Sequence, residues 1–130
     1  MACLVGCGID IEERNRFTKH ANQHKLSSLI QRIFTPAEIL LNTDGTELRF
    51  ALGFSCKESV FKALGVSWTN SPIQWTDIEL LMPNKNNIYQ HEIKLHNFAA
   101  QLYQSLGGKQ VISNFEYNHQ FVFFQIQITH

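Results

Sequence analysis

Residues 46–65, TELRFALGFSCKESVFKALG, constrain the fold more than any other stretch of this chain. Leu48, Phe50, Ala51, Leu52, Phe54, Val60 and Phe61 follow helical spacing rather than alternation. Gly65 is placed to end the segment, so the pattern predicts a long helix from about Thr46 to Leu64. A helix that is apolar on most sides belongs in a core. Yet Lys57 and Glu58 stand side by side near its middle, with Lys62 one turn further on. Glu58 and Lys62 are four apart and share a face; exposed pairs of that kind are common and contribute only about 0.2–0.5 kcal/mol. The apolar surroundings and the second cation at Lys57 argue for something more than a solvated pair.

The rest of the chain supplies short elements to enclose such a helix. Residues 3–11, CLVGCGIDI, read as a buried strand ending near Asp10. A polar helical turn and a more amphipathic segment follow over residues 12–34. Thr35-Pro36-Ala37-Glu38 carries a helix start, with threonine at the cap, proline at the first helical position and glutamate three residues after the cap. That helix should run to about Leu41, with a turn over Asn42–Gly45. Residues 75–82 read as a strand, Pro83–Asn87 as a turn and Ile88–Leu95 as a second strand. A short helix spans Asn97–Leu106 and stops at Gly107-Gly108. Two strands, Gln110–Tyr117 and Phe121–Thr129, close the chain around an Asn118-His119 hairpin. This order predicts an α+β fold, an antiparallel or mixed sheet with helices packed on one face, as a single domain over residues 1–130.

Composition excludes several classes. The chain is 44% hydrophobic and 17% charged, which suits a folded core rather than disorder. Its 11 basic and 11 acidic residues balance, so neither nucleic acid nor an anionic membrane is an expected partner. Cys3 and Cys7, four apart on one strand, would lie roughly 13 Å apart, beyond disulfide reach. With Cys56 they read as reduced thiols, and the usual paired zinc spacings are absent. No basic region leads into a long apolar run, and a soluble, cytoplasmic protein is expected. His20, His24, His91, His96 and His130 show no ligand spacing.

Asp10 ends the first strand, after Gly8-Ile9. Alone it would read as a turn or cap residue. If it meets Glu58 in space, the two carboxylates form an oxygen site suited to Mg²⁺, an ion that takes few protein ligands and completes its shell with water and substrate phosphate. Lysines nearby would then hold the remaining phosphate charge.

Two segments resemble the signature of the holo-acyl-carrier-protein synthases, the small class of 4′-phosphopantetheinyl transferases. One is Gly8-Ile9-Asp10-Ile11 followed by Glu13 and Arg16. The other is Phe50-Ala51, Phe54, Lys57-Glu58 and Lys62-Ala63-Leu64-Gly65, with FTPAEI at 34–39 between them. The layout is similar along almost the whole chain. The resemblance implies the 4′-phosphopantetheinyl transferase fold and Mg²⁺-dependent transfer of 4′-phosphopantetheine from coenzyme A to a serine of an acyl carrier protein, releasing adenosine 3′,5′-bisphosphate. By position it implies Asp10 and Glu58 as metal ligands, and Asp10, Glu58 and Lys62 as catalytic groups. Lys62, Lys57 and Gly65 fall on the coenzyme A side, and Arg16 on the carrier-protein side. Arg14 and Lys19 read as a solvated face. The resemblance also implies a homotrimer with active sites between subunits; FVFFQIQI is then either partly interface or plain sheet core.

Departures from the family pattern cluster where it holds the 3′-phosphate of coenzyme A. Gly53 occupies the usual arginine position, Val66-Ser67 replaces threonine-glycine, and Glu116-Tyr117 replaces serine-histidine. Losing two cations should weaken the hold on that dianion. Arg49, Lys57 and His119 are the candidate substitutes. An active transferase and a non-catalytic relative that binds a carrier protein or nucleotide are the two function classes; retention of Asp10, Glu58 and Lys62 together favours the enzyme.

Overall fold

The computed structural model describes residues 3–18, 27–42 and 46–130. Most of the expected Asn42–Gly45 turn lies outside them, as do Lys19, His20 and His24. The order is β1 (Leu4–Glu13), a 3₁₀ turn (Arg14–Phe17), α1 (Ser28–Ile33), α2 (Pro36–Leu41), α3 (Glu47–Leu64), a second 3₁₀ turn (Trp75–Asp77), β2 (Ile78–Leu81), β3 (Glu92–Leu95), α4 (Asn97–Ser105), β4 (Gln110–Tyr117) and β5 (Phe121–Thr129). The strands form two antiparallel sheets, β1-β5-β4 and the smaller β2-β3. No helix of the described residues is long and apolar enough to cross a membrane.

α3 is the axis of the molecule. Fourteen of its eighteen residues are buried, so neighbours must cover it on nearly every side. Gly65 ends it at φ 76°, a left-handed turn that glycine adopts without the usual side-chain penalty. One flank lies on β1 and β5. From β5, Val122, Phe124, Ile126 and Ile128 turn inward, each at most 1% exposed, while Gln125 and Gln127 alternate outward as period two requires.

β1 approaches α3 more closely than any side chain would allow. A Cβ on Gly8 would stand 1.9 Å from the Ser59 carbonyl oxygen and 2.8 Å from the Ala63 nitrogen, both backbone atoms. Gly8→Ala is therefore expected to push β1 off the helix and to cost about 1–3 kcal/mol, read as a lowered urea midpoint. An unchanged midpoint would show that the contact is looser than described.

The opposite flank is held by a buried charge. Thr35 and Glu38 make the capping box read from the sequence: Thr35 Oγ1 accepts from the Glu38 amide at 3.2 Å, and Glu38 Oε1 accepts from the Thr35 amide at 3.0 Å. Lys57, fully buried, donates to the same Glu38 Oε1 at 2.8 Å, to the Trp75 carbonyl at 3.1 Å and to the Ile78 carbonyl. Glu38 Oε2 accepts from the Leu80 amide at 3.2 Å. One ion pair thus ties α2, α3 and β2 together.

The sequence expectation differs from the structure in the middle of the chain. The strand expected over residues 75–82 begins as a 3₁₀ turn, because Asp77 Oδ2 accepts from the Gln74 amide at 2.9 Å and curls the backbone. The strand expected over Ile88–Leu95 is confined to Glu92–Leu95. Asn84 and Asn87 side chains accept from the amides of Asn86 and Tyr89, two residues on, which makes turns instead of a ladder. Tyr89 then stacks on Phe115 at 4.9 Å.

Candidate active site

Gly6, Gly8, Asp10 and Glu12 alternate along β1, and the glycine contacts aim that face at α3. Ser55 on α3 donates to the Asp10 carbonyl at 3.2 Å. Lys62 Nζ donates to the Ile9 carbonyl at 2.9 Å and to Asp10 Oδ1 at 3.3 Å. Asp10 is 8% exposed, and its buried Oδ2 has no hydrogen-bond donor among the described residues. Burial lifts the Glu58 carboxyl above its ordinary value, and the Asp10 charge adds to the lift, against the pull of Lys62 and Arg16. The structure thus brings Asp10, Glu58 and Lys62 together from elements nearly fifty residues apart.

Two further groups complete the cluster. Glu12, two residues beyond Asp10, is pushed up to about 7 by burial and then by the charge and hydrogen bond of Asp10, with Arg16 opposing. Arg16 forms an ion pair with Glu12 and sets its guanidinium 5.4 Å over the Phe54 ring. Beside them opens a cleft of about 580 Å³ whose lining includes Arg16, Arg32, Phe54, Glu58, Trp68 and Trp75. Trp75 lies 5.2 Å from Phe54 and 5.9 Å from Trp68, ring centre to ring centre. Neither Glu12 nor the tryptophans were singled out from the sequence. Glu12 could have been, since two residues apart on a strand means the same face.

Among the described residues, no group of three His, Cys, Asp or Glu side chains is arranged to hold a metal ion alone. The donor set instead fits a hard cation that takes one or two carboxylates and fills its shell elsewhere: Asp10 offers a buried oxygen with no donor among the described residues, and Glu58 is near enough to feel its charge.

Other expected site residues have other places. Lys57 does not face the cleft; it is spent on Glu38 and two backbone carbonyls in the core, so its assignment to coenzyme A is corrected here. Arg14 is not a solvated charge: it pairs with Glu47 at 2.7 Å and donates to the Asn118 carbonyl at 2.7 Å. Arg49 is 8% exposed and donates to the Met82 carbonyl at 2.7 Å, which removes it as a substitute cation. His119 is exposed in the β4–β5 turn. A Cβ on Gly53 would stand 2.8 Å from the Phe34 ring, so that position is filled by its neighbour. Apart from its chain neighbours, no atom of the described residues lies within 4 Å of where a Gly65 side chain would begin, which leaves open space at the helix end.

The model of the 4′-phosphopantetheinyl transferase superfamily matches residues 6–121. A holo-[acyl-carrier-protein] synthase of Geobacter sp. (strain M21) is 35% identical over 106 residues, covering 80% of this chain and 81% of its own. One from Moorella thermoacetica is 31% identical over 122 residues, covering 91% and 88%. The fold resembles the crystal structure of the Neisseria meningitidis holo-[acyl-carrier-protein] synthase, with a TM-score of 0.77 and 19% identity over 97% of this chain and 98% of that one. It also resembles the Helicobacter pylori synthase in complex with coenzyme A, with a TM-score of 0.73 and 23% identity over 94% and 98%.

Proposed function

Because this chain belongs to the holo-acyl-carrier-protein synthase family of the 4′-phosphopantetheinyl transferase superfamily, we propose that it moves 4′-phosphopantetheine from coenzyme A to a serine hydroxyl of an apo acyl carrier protein. The serine oxygen–phosphorus bond forms as the pyrophosphate P–O bond breaks, and adenosine 3′,5′-bisphosphate leaves. The observation that carries this reading is the meeting of Asp10, Glu58 and Lys62 beside a cleft with aromatic walls.

Asp10 and Glu58 would hold Mg²⁺, which when bound would neutralise the pyrophosphate and polarise the reacting phosphorus. Glu58, held above its ordinary value, accepts the serine proton. Lys62, whose side chain is 52% exposed, reaches phosphate oxygens as charge moves toward the leaving group. Gly65 leaves room for the nucleotide beside it. Arg16, at the cleft mouth, meets the acidic carrier. Positioning and electrostatics then supply the rate enhancement. The free thiols of Cys3, Cys7 and Cys56 suit a reducing cytoplasm.

The 3′-phosphate of coenzyme A contributes little in this account, because Gly53 and Tyr117 supply no cation and Arg49 is occupied in the core. Hydrogen bonds to a charged group are each worth about 1.5–3 kcal/mol, so a site that made them would discriminate more than about tenfold. Transfer from dephospho-coenzyme A should stay within about tenfold of transfer from coenzyme A, by carrier mass. A larger preference for coenzyme A would show that other cations hold the 3′-phosphate.

The chain assembles as a homotrimer through the outer face of β1-β5-β4. Ile9 and Ile11 are 47% and 62% exposed there, and Ile11 pairs across the sheet with Phe123. Light scattering should give three times the 15.0 kDa of one chain; a single-chain mass would remove this assembly.

A further inference from the structure

Arg16 is tied to both parts of the site. It pairs with Glu12, lies over Phe54, and lines the cleft together with Glu58. Glu12 shares its face of β1 with Asp10, and Lys62 bonds Asp10 from α3. The Glu12 side chain is 12% exposed and that of Arg16 56%, so the carboxylate is fixed and the guanidinium can swing into water at little loss of buried contact. Among the described residues neither Lys62 nor Arg16 donates to the buried Asp10 Oδ2, and the neighbouring side chain is another carboxyl, Glu12. Arg16 on Glu12 and Lys62 on Asp10 thus already set two cations on this carboxylate cluster. A divalent ion entering it meets the guanidinium as a like charge, and the exposed Arg16 is free to withdraw.

We propose that Arg16, paired with Glu12 beside Asp10, is the internal counter-ion of the cation-free site, and that it and a divalent cation oppose one another at this carboxylate cluster. Cation entry then releases the guanidinium toward the cleft mouth, where it pairs with the carboxylates of an acidic partner. This rests on the reading of Asp10 and Glu58 as cation ligands. Linkage makes the effect reciprocal: a partner that draws Arg16 away tightens the cation, and the cation tightens the partner.

The test is Mn²⁺ binding to the full chain without coenzyme A, followed by electron paramagnetic resonance. Arg16→Ala and Arg16→Gln should each bind Mn²⁺ about fivefold tighter or more than the wild type, and Glu58→Gln should bind it more weakly. In a separate binding measurement, Mg²⁺ should strengthen docking of an apo acyl carrier protein to the wild type and not to Arg16→Ala. Equal or weaker Mn²⁺ binding by both Arg16 variants overturns the proposal while leaving the cation ligands intact, as does wild-type docking indifferent to Mg²⁺. No Mn²⁺ binding by the wild type overturns both.

Discussion

Replacing Lys57 with methionine is expected to cost about 3–5 kcal/mol of folding stability, a large share of the 5–15 kcal/mol typical of a whole domain. Methionine fills most of the volume but donates no hydrogen bond. Glu38 would keep its bonds from the Thr35 and Leu80 amides while losing the ammonium that balances its charge, and the Trp75 and Ile78 carbonyls would lose their shared donor. The loss should appear as a lowered urea midpoint. Adding Glu38→Gln should return part of it, because a buried pair removed together leaves no uncompensated charge. A Lys57→Met protein of normal stability and weakened coenzyme A binding would instead put Lys57 back in the site.

Glu58→Gln should act the other way round. Transfer should fall about 10²–10³-fold, the scale of losing one electrostatic stabiliser of a transition state. Stability of the metal-free protein should hold or rise. Burial first, and then the Asp10 charge, keep the Glu58 carboxyl above its ordinary value, so its ionised form burdens the fold at neutral pH and glutamine lifts that burden. A rate within a few-fold of wild type would remove Glu58 from the chemistry. A collapse of stability would make it structural.

These opposite outcomes for neighbouring residues follow from helix geometry. Successive side chains on a helix point about 100° apart, so Lys57 and Glu58 face different sides of α3. The sequence reading nevertheless put Lys57 in the site, because its partner Glu38 lies nineteen residues away and its capping role already accounted for it. The β4–β5 hairpin and the span of α3 were legible, since alternation and a terminal glycine determine them locally. The loop before β3 was not, because asparagine side chains there bond the backbone and override β-favouring residues such as Ile88 and Tyr89. Asp10 stood out at the end of the first strand, and the structure sets it against Lys62. Its approach to α3 depends on Gly6 and Gly8, whose lack of a side chain carries little signal until the helix is seen against them.

The most direct measurement is the mass of an apo acyl carrier protein after incubation with this protein, coenzyme A and Mg²⁺. One 4′-phosphopantetheine should be added per carrier, only while the metal is present. A carrier that stays unmodified, or one modified equally when the metal is chelated, would contradict a site in which Asp10 and Glu58 work through a bound cation.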